Sequence, residues 1–181
     1  TTISFSAIDP YTGATEATGS VPIVACSPAA GRAVSVKYLQ IGDSTTANTG
    51  ECTQTLLDWS AVDPFTVTLL GTQGSGSNKH EGHAGWALTD FTGSSSPFYI
   101  SGGLNFALYL SNNAIAMPDW VGIMLGTNDM LAVTSDATAL SAATSAFNGL
   151  DVLMASIKAA GVSIKIALMP IPMPSSDQDG F

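Results

Sequence analysis

Four short apolar runs recur along the chain, Val34–Ile41, Phe65–Leu70, Val121–Leu125 and Ser163–Met169, and each is bounded by Gly, Pro or polar residues. Runs of this length with such flanks read as buried strands. The segments between them carry helical spacing. Thr46 to Trp59 places Leu56, Leu57 and Trp59 on a helix. A second and clearer helix opens at a cap near Ser135 or Asp136. Its apolar stripe, Leu140, Ala143, Phe147, Leu150, Met154 and Ile157, steps by three and four, and Gly161 supplies the stop. Strands alternating with helices predict an α/β fold, a parallel sheet covered on both faces. Ligands of such sheets bind beyond the carboxyl ends of the strands.

At 181 residues the chain is long enough for one domain with a real core. Residues 1–33 are rich in Thr, Gly, Pro and Ala, with β-prone stretches at Ile3–Phe5 and Val21–Val24, and read as an arm or the edge of a preceding β-rich module. Residues 34–181 form the main domain. Within it Gly71 to about Gly85 reads as a long Gly/Ser-rich loop without periodicity, a kind of segment that is usually functional or mobile. The N-terminus lacks a Met, a basic stretch and an apolar core of the signal-peptide type, so the chain is expected to be a piece of a longer polypeptide or assembly.

Charge narrows the partners. Net charge is -9, and the only basic side chains besides histidine are Arg32, Lys37, Lys79, Lys158 and Lys165. No basic stripe could neutralise phosphates, so neither nucleic acid nor an anionic membrane surface fits. No apolar run is long enough to span a bilayer. Cys26 and Cys52 could pair or remain as thiols, and with His80 and His83 they show no zinc spacing. Neither a metal nor an organic cofactor is expected. Only 10% of residues are charged, so the polar surface is mostly Ser, Thr, Asn and Gly. That surface suits an extracellular or virion-associated protein with a neutral ligand.

Three polar, glycine-containing segments fall at the C-terminal ends of the expected strands: Gly42-Asp43-Ser44, the loop after Leu70, and Gly126-Thr127-Asn128-Asp129. A serine between a strand and a helix can point its hydroxyl outward, with its backbone N–H placed for a developing oxyanion. It can equally be an N-cap. The Gly82 N–H and the Asn128 side-chain amide are two further candidate donors. Each is also an ordinary turn residue. Asp129 is placed to stabilise the turn or to orient Asn128.

These segments, Ile41-Gly42-Asp43-Ser44-Thr45, Glu81-Gly82-His83-Ala84-Gly85-Trp86 and Leu125-Gly126-Thr127-Asn128-Asp129, resemble blocks I, II and III of the SGNH (GDSL-like) hydrolase family. The resemblance covers about Val34 to Met169. It implies a three-layer, flavodoxin-like fold and a serine esterase or deacetylase. Ser44 would be the nucleophile, and Ser44, Gly82 and Asn128 the oxyanion donors. Asp43, His83, Trp86 and Asp129 would line the substrate site, with Gly85 an alternative to Gly82. The family's substrates include acetylated carbohydrates and other small esters, and the low charge together with Trp86 favours an O-acetylated glycan.

The family's last block, Asp-x-x-His, which supplies the general base, has no counterpart: Asp177-Gln178-Asp179-Gly180-Phe181 contains no histidine. The resemblance therefore implies a C-terminally truncated domain with that block downstream. A second reading makes His83 the base with Glu81 as its only acidic partner. The simpler role for His83 is substrate contact or packing on Trp86. The competing function is a non-catalytic glycan-binding or structural module, as in a phage tail. A dinucleotide site is not supported, because the glycines at 71, 74 and 76 neither open a helix nor precede an acidic residue at ribose spacing.

Overall fold

The structure is a computed structural model that describes residues 2–8, 11–22, 33–48, 50–131 and 133–170. The chain divides into two compact units, residues 1–32 and 33–181, one residue earlier than the composition shift suggests. In the first unit Thr2–Ile8 (β1) and Thr15–Pro22 (β2) pair antiparallel, from Thr2 opposite Pro22 to Ile8 opposite Thr15. Ser4 and Ser6 of β1 are exposed, consistent with the alternation of serine with apolar residues in its sequence.

The second unit is built on a largely parallel sheet. Ser35–Gly42 (β3) leads into a short helix Ser44–Ala47 (α1) and then Glu51–Val62 (α2). The single helix expected from Thr46 to Trp59 is broken by Gly50, which takes a left-handed conformation at φ 56° and starts α2 afresh. Thr66–Leu70 (β4) follows, then Gln73–Ser75 (β5) and Asn78–Gly82 (β6). The expected loop over 71–85 is thus mostly a hairpin, β5 antiparallel to β6, and β6 continues as a parallel neighbour of β3.

Leu88–Thr92 (α3), the small hairpin Tyr99–Ile100 (β7) with Gly103–Leu104 (β8), and Phe106–Asn112 (α4) come next. Trp120–Met124 (β9), Thr127–Met130 (α5), Asp136–Ala160 (α6) and Lys165–Leu168 (β10) complete the unit. The Pro-rich tail beyond Pro170 lies outside the described residues, as does Cys26. Cys52 is exposed on α2 and forms no disulfide among the described residues.

Strand β3 is the centre of the sheet. One side pairs with β9, Tyr38–Gly42 against Trp120–Met124, and β9 pairs with β10. The other side is shared: Ser35–Leu39 pair with β4, and Ile41–Gly42 pair with Glu81–Gly82 of β6. The β3-to-β4 connection therefore runs one way across the sheet, and the β6-to-β9 and β9-to-β10 connections run the other. Right-handed crossovers then put α2 on one face and α3, α4 and α6 on the opposite face. In agreement, α6 contacts both α3 and α4, whereas α2 lies against β4 and β6.

The main core fills the α3–α4–α6 side. Leu39, Ile41, Val121 and Ile123 from the sheet meet Phe91, Phe98, Phe106, Tyr109, Leu153 and Ile157, all essentially inaccessible to solvent. Phe98 packs against Phe91, Phe106 and Tyr109, with ring centroids 4.8–6.0 Å apart. The α6 stripe read from periodicity holds in its second half, where Ile157 is buried and Leu150 and Met154 pack on the core, but not in its first, where Leu140 and Phe147 are exposed and Ala146 and Leu153 are the buried residues. Small residues also meet the neighbouring helices. Gly149 leaves only contact distance to Leu88, 3.4 Å from the position of an added Cβ, and Ser156 Oγ accepts from the Phe106 N–H at 3.1 Å. Among the described residues, no helix is long and apolar enough to cross a membrane.

Candidate functional site

Three strand ends lie side by side, because Gly42 pairs with Gly82 on one side and with Met124 on the other. Beyond them sit α1, the 83–86 turn and α5. The switch in crossover direction falls between β3 and β9, the place where open α/β sheets gather ligands.

The serine turn is held by its own acid and by close packing. Asp43 is buried and is the N-cap of α1, its Oδ1 accepting from the Thr45 N–H at 2.9 Å and from the Thr45 hydroxyl. Ser44, the first residue of α1, is half-buried, and its carbonyl accepts from Asn48 N at 2.9 Å. Neither flanking glycine has room for a side chain. A Cβ on Gly42 would lie 2.0 Å from Thr46 Oγ1, and one on Gly82 would lie 2.7 Å from Ala47 N. That fit lets β6 press directly on α1.

Gly82 is not an open donor. Its N–H donates to His80 Nδ1 at 3.0 Å. His80 is buried, and desolvation lowers its pKa below the ordinary 6.5, which keeps the imidazole neutral and accepting. Gly85 offers the freer backbone: it is exposed, sits at φ +78°, and a Cβ there would meet nothing within 4 Å.

His83 is tied on three sides. Its N–H donates to the Gly42 carbonyl at 2.9 Å, its Nε2 lies 3.0 Å from Glu81 Oε1, and its ring stacks on Trp86 at 4.1 Å. Trp86 is half-buried and links to the third segment, its carbonyl accepting from Asn128 Nδ2 at 2.9 Å. Asp129 accepts from the Leu88 N–H at 3.1 and 3.2 Å, so it ties α5 to the start of α3 rather than orienting Asn128. The structure thus joins the second segment to the first through His83 and Gly82, and to the third through Trp86 and Leu88.

The residue at the centre of this arrangement is Glu81, which the sequence offered only as the acidic partner of His83 and which the structure pairs with it. Glu81 has no solvent exposure, and its carboxylate also receives the Thr72 N–H at 2.9 Å, the Thr72 hydroxyl and the Tyr109 hydroxyl. Burial alone would raise its pKa, but the bonds from His83, Tyr109 and Thr72 prevail and hold it below the usual carboxylate value. Burial and the Glu81 charge push the Tyr109 hydroxyl well up, so it stays a donor. The signal in the sequence was a carboxylate between His80 and Gly82 in a chain with few charges.

Among the described residues neither histidine pairs with Ser44, and no group of three or more His, Cys, Asp or Glu is gathered to hold a metal. A shallow depression on the first unit, lined by Ser4, Ser6, Thr18, Gly19 and Ser20, carries hydroxyls and no titratable group. Comparison with known proteins returned no matching family model, no matching curated protein and no matching solved structure.

Proposed function

We propose that the chain is a serine ester hydrolase of SGNH type that removes acetyl or similar acyl groups from a carbohydrate, with Ser44 as the nucleophile. The observation that carries this reading is the convergence of the Ser44 turn, the 83–86 turn and Asn128 at three adjacent strand ends. The strand order β4–β3–β9–β10 supports the finer, flavodoxin-like reading of the fold, since it follows the order 2-1-3-4 of that doubly wound class.

In this reading Ser44 Oγ attacks the ester carbonyl carbon and gives its proton to a base. The oxyanion is held by the Ser44 N–H, the Asn128 amide and a backbone N–H of the 83–86 turn. Gly85 suits that last role better than Gly82, whose N–H is engaged by His80. The carbon–oxygen bond to the sugar then breaks, the alcohol departs with the proton, and water attacks the acyl-serine. The resemblance assigns the base to a histidine of an Asp-x-x-His block.

Hydrolysis of p-nitrophenyl acetate and of acetylated oligosaccharides tests the reading. Ser44→Ala is expected to lower kcat by at least roughly a thousandfold. Asn128→Ala is expected to lower it by about a hundredfold or more. Turnover that survives Ser44→Ala would overturn the nucleophile assignment.

A second reading has one observation in its favour: among the described residues His83 is paired with Glu81 and His80 with Gly82, which leaves neither on Ser44. A non-catalytic glycan-binding module of an extracellular or virion assembly would need no base. Glycan binding without turnover, unchanged by Ser44→Ala, would favour it.

A further inference from the structure

Glu81 is far more elaborately held than a structural carboxylate at a strand end requires. Thr72 and Tyr109 satisfy it from the core side, through the Thr72 N–H at 2.9 Å, the Thr72 hydroxyl and the Tyr109 hydroxyl. Its remaining contact reaches outward to His83 Nε2 at 3.0 Å. From there the contacts run on without a gap. The His83 ring lies on Trp86 at 4.1 Å with 20° between planes, Trp86 N donates to the His83 carbonyl at 3.2 Å, and the Trp86 carbonyl accepts from Asn128 Nδ2 at 2.9 Å.

We propose that Glu81 is a positioning residue for the Asn128 side-chain amide, acting through the His83 imidazole and the Trp86 backbone. An amide rotates broadly about its last torsion. Giving one of its two N–H groups to the Trp86 carbonyl fixes where the other points. That carbonyl is only as well placed as the 83–86 turn, and the turn has no support on its solvent side, where Ala84 and Gly85 are exposed. Its support comes from within, because His83 is gripped by Glu81, by Trp86 and edge-on by Phe91 at 5.6 Å. An ionised carboxylate suits the task, since it accepts from every donor around it and forms the stronger, charge-assisted kind of bond. A glutamine there would turn an N–H₂ towards groups that are already donors. The inference rests on the proposed site only in giving the second Asn128 N–H a function. The coupling itself is a property of the folded chain.

The test is nuclear magnetic resonance on the ¹⁵N-labelled 181-residue chain, reading the Asn128 side-chain amide pair, assigned by its loss in Asn128→Asp. Glu81→Gln is expected to shift that pair and to speed its hydrogen exchange about tenfold or more, as loss of a fixed partner does. The Asn105 pair, whose side chain caps α4 through Leu108 N, is expected to stay in place. Should Glu81→Gln not fold, His83→Ala carries the test, because it leaves Glu81 with Thr72 and Tyr109 and cuts the path at the next link. An Asn128 pair unmoved in a folded variant would overturn the proposal.

Where the chain turns over an ester, a double-mutant cycle gives a second readout. Glu81→Gln is expected to lower kcat about tenfold with KM unchanged, and to have no further effect on Asn128→Ala. Additive losses would overturn the coupling. The two levels separate cleanly: an unmoved Asn128 pair with Ser44 still essential defeats this inference alone, and a moved pair with Ser44→Ala fully active defeats the esterase reading alone.

Discussion

A methyl group on Gly82 would stand 2.7 Å from Ala47 N and 2.8 Å from Thr46 Cγ2, so Gly82→Ala must push β6 away from α1. Overpacking of this kind typically costs about 1–3 kcal/mol, and a urea melt of the variant is expected to show a loss in that range. Gly85→Ala differs in kind. Nothing obstructs a Cβ there, and the cost of about 1–2 kcal/mol comes from the left-handed backbone at φ +78° alone. At Glu81 the relevant variable is pH. Its folded pKa lies below the ordinary 4.5 although burial alone would raise it, because the bonds from His83, Tyr109 and Thr72 favour the charge. The unfolded chain therefore takes up this proton first as pH falls. The stabilisation is complete above the ordinary carboxylate value and disappears as pH drops through the depressed one. Melts at a series of pH values from about 6 to about 3 are expected to show wild type losing more stability than Glu81→Gln. His80 works in the same direction at higher pH: its pKa is lowered by burial, and the stability of its neutral form is lost below the ordinary 6.5. Equal acid sensitivity in wild type and Glu81→Gln would contradict the charge assignment at Glu81.

At the level of elements, α6 illustrates how a sound period can carry the right phase over only part of a helix. The spacing from Leu140 to Ile157 correctly announces a helix and Ile157 is buried as expected, yet Leu140 and Phe147 are 74% and 67% exposed while Leu153, outside the stripe, is fully buried. A stripe read from large residues passes over Gly149, which lies against Leu88, and Ser156, which accepts from the Phe106 N–H. Leu153→Ala is accordingly expected to cost about 2–5 kcal/mol, and Phe147→Ser to stay within about 0.5 kcal/mol, by chemical denaturation. The reverse ranking would mean that Phe147 and not Leu153 faces the core. The apolar strands were legible almost to the residue: Val34–Ile41 is Ser35–Gly42, and Val121–Leu125 is Trp120–Met124. Strand β6 was not legible, because it buries His80 and Glu81 where the pattern rule looks for aliphatic side chains. The Ser44, His83–Trp86 and Asn128 segments were identified from their motif spacing. The Thr72 and Tyr109 partners were not, since they lie 9 and 28 residues from Glu81 and only the folded chain brings them to it.

At the scale of the molecule, the units 1–32 and 33–181 each hold together through contacts of their own. A chain beginning at Ala33 is therefore expected to keep its cooperative unfolding transition, with a Tm within a few degrees of the full chain by calorimetry. Several of the scarce cations are engaged locally: Lys79 Nζ donates to the Gly74 carbonyl at 3.1 Å, Lys158 Nζ to the Ile164 carbonyl, and Lys165 lies 5.1 Å over the Trp120 ring. The pairing of Gly42 with both Gly82 and Met124 has a consequence in time as well as in space. Helix α1, only four residues long, is far too short to persist by itself, so the serine turn draws its shape from strands that begin and end well downstream. Parallel pairings of such separation close slowly. The residues around Ser44 thus acquire their geometry only when the distant strands dock, and a nascent chain that has not yet delivered β9 has no assembled site to expose.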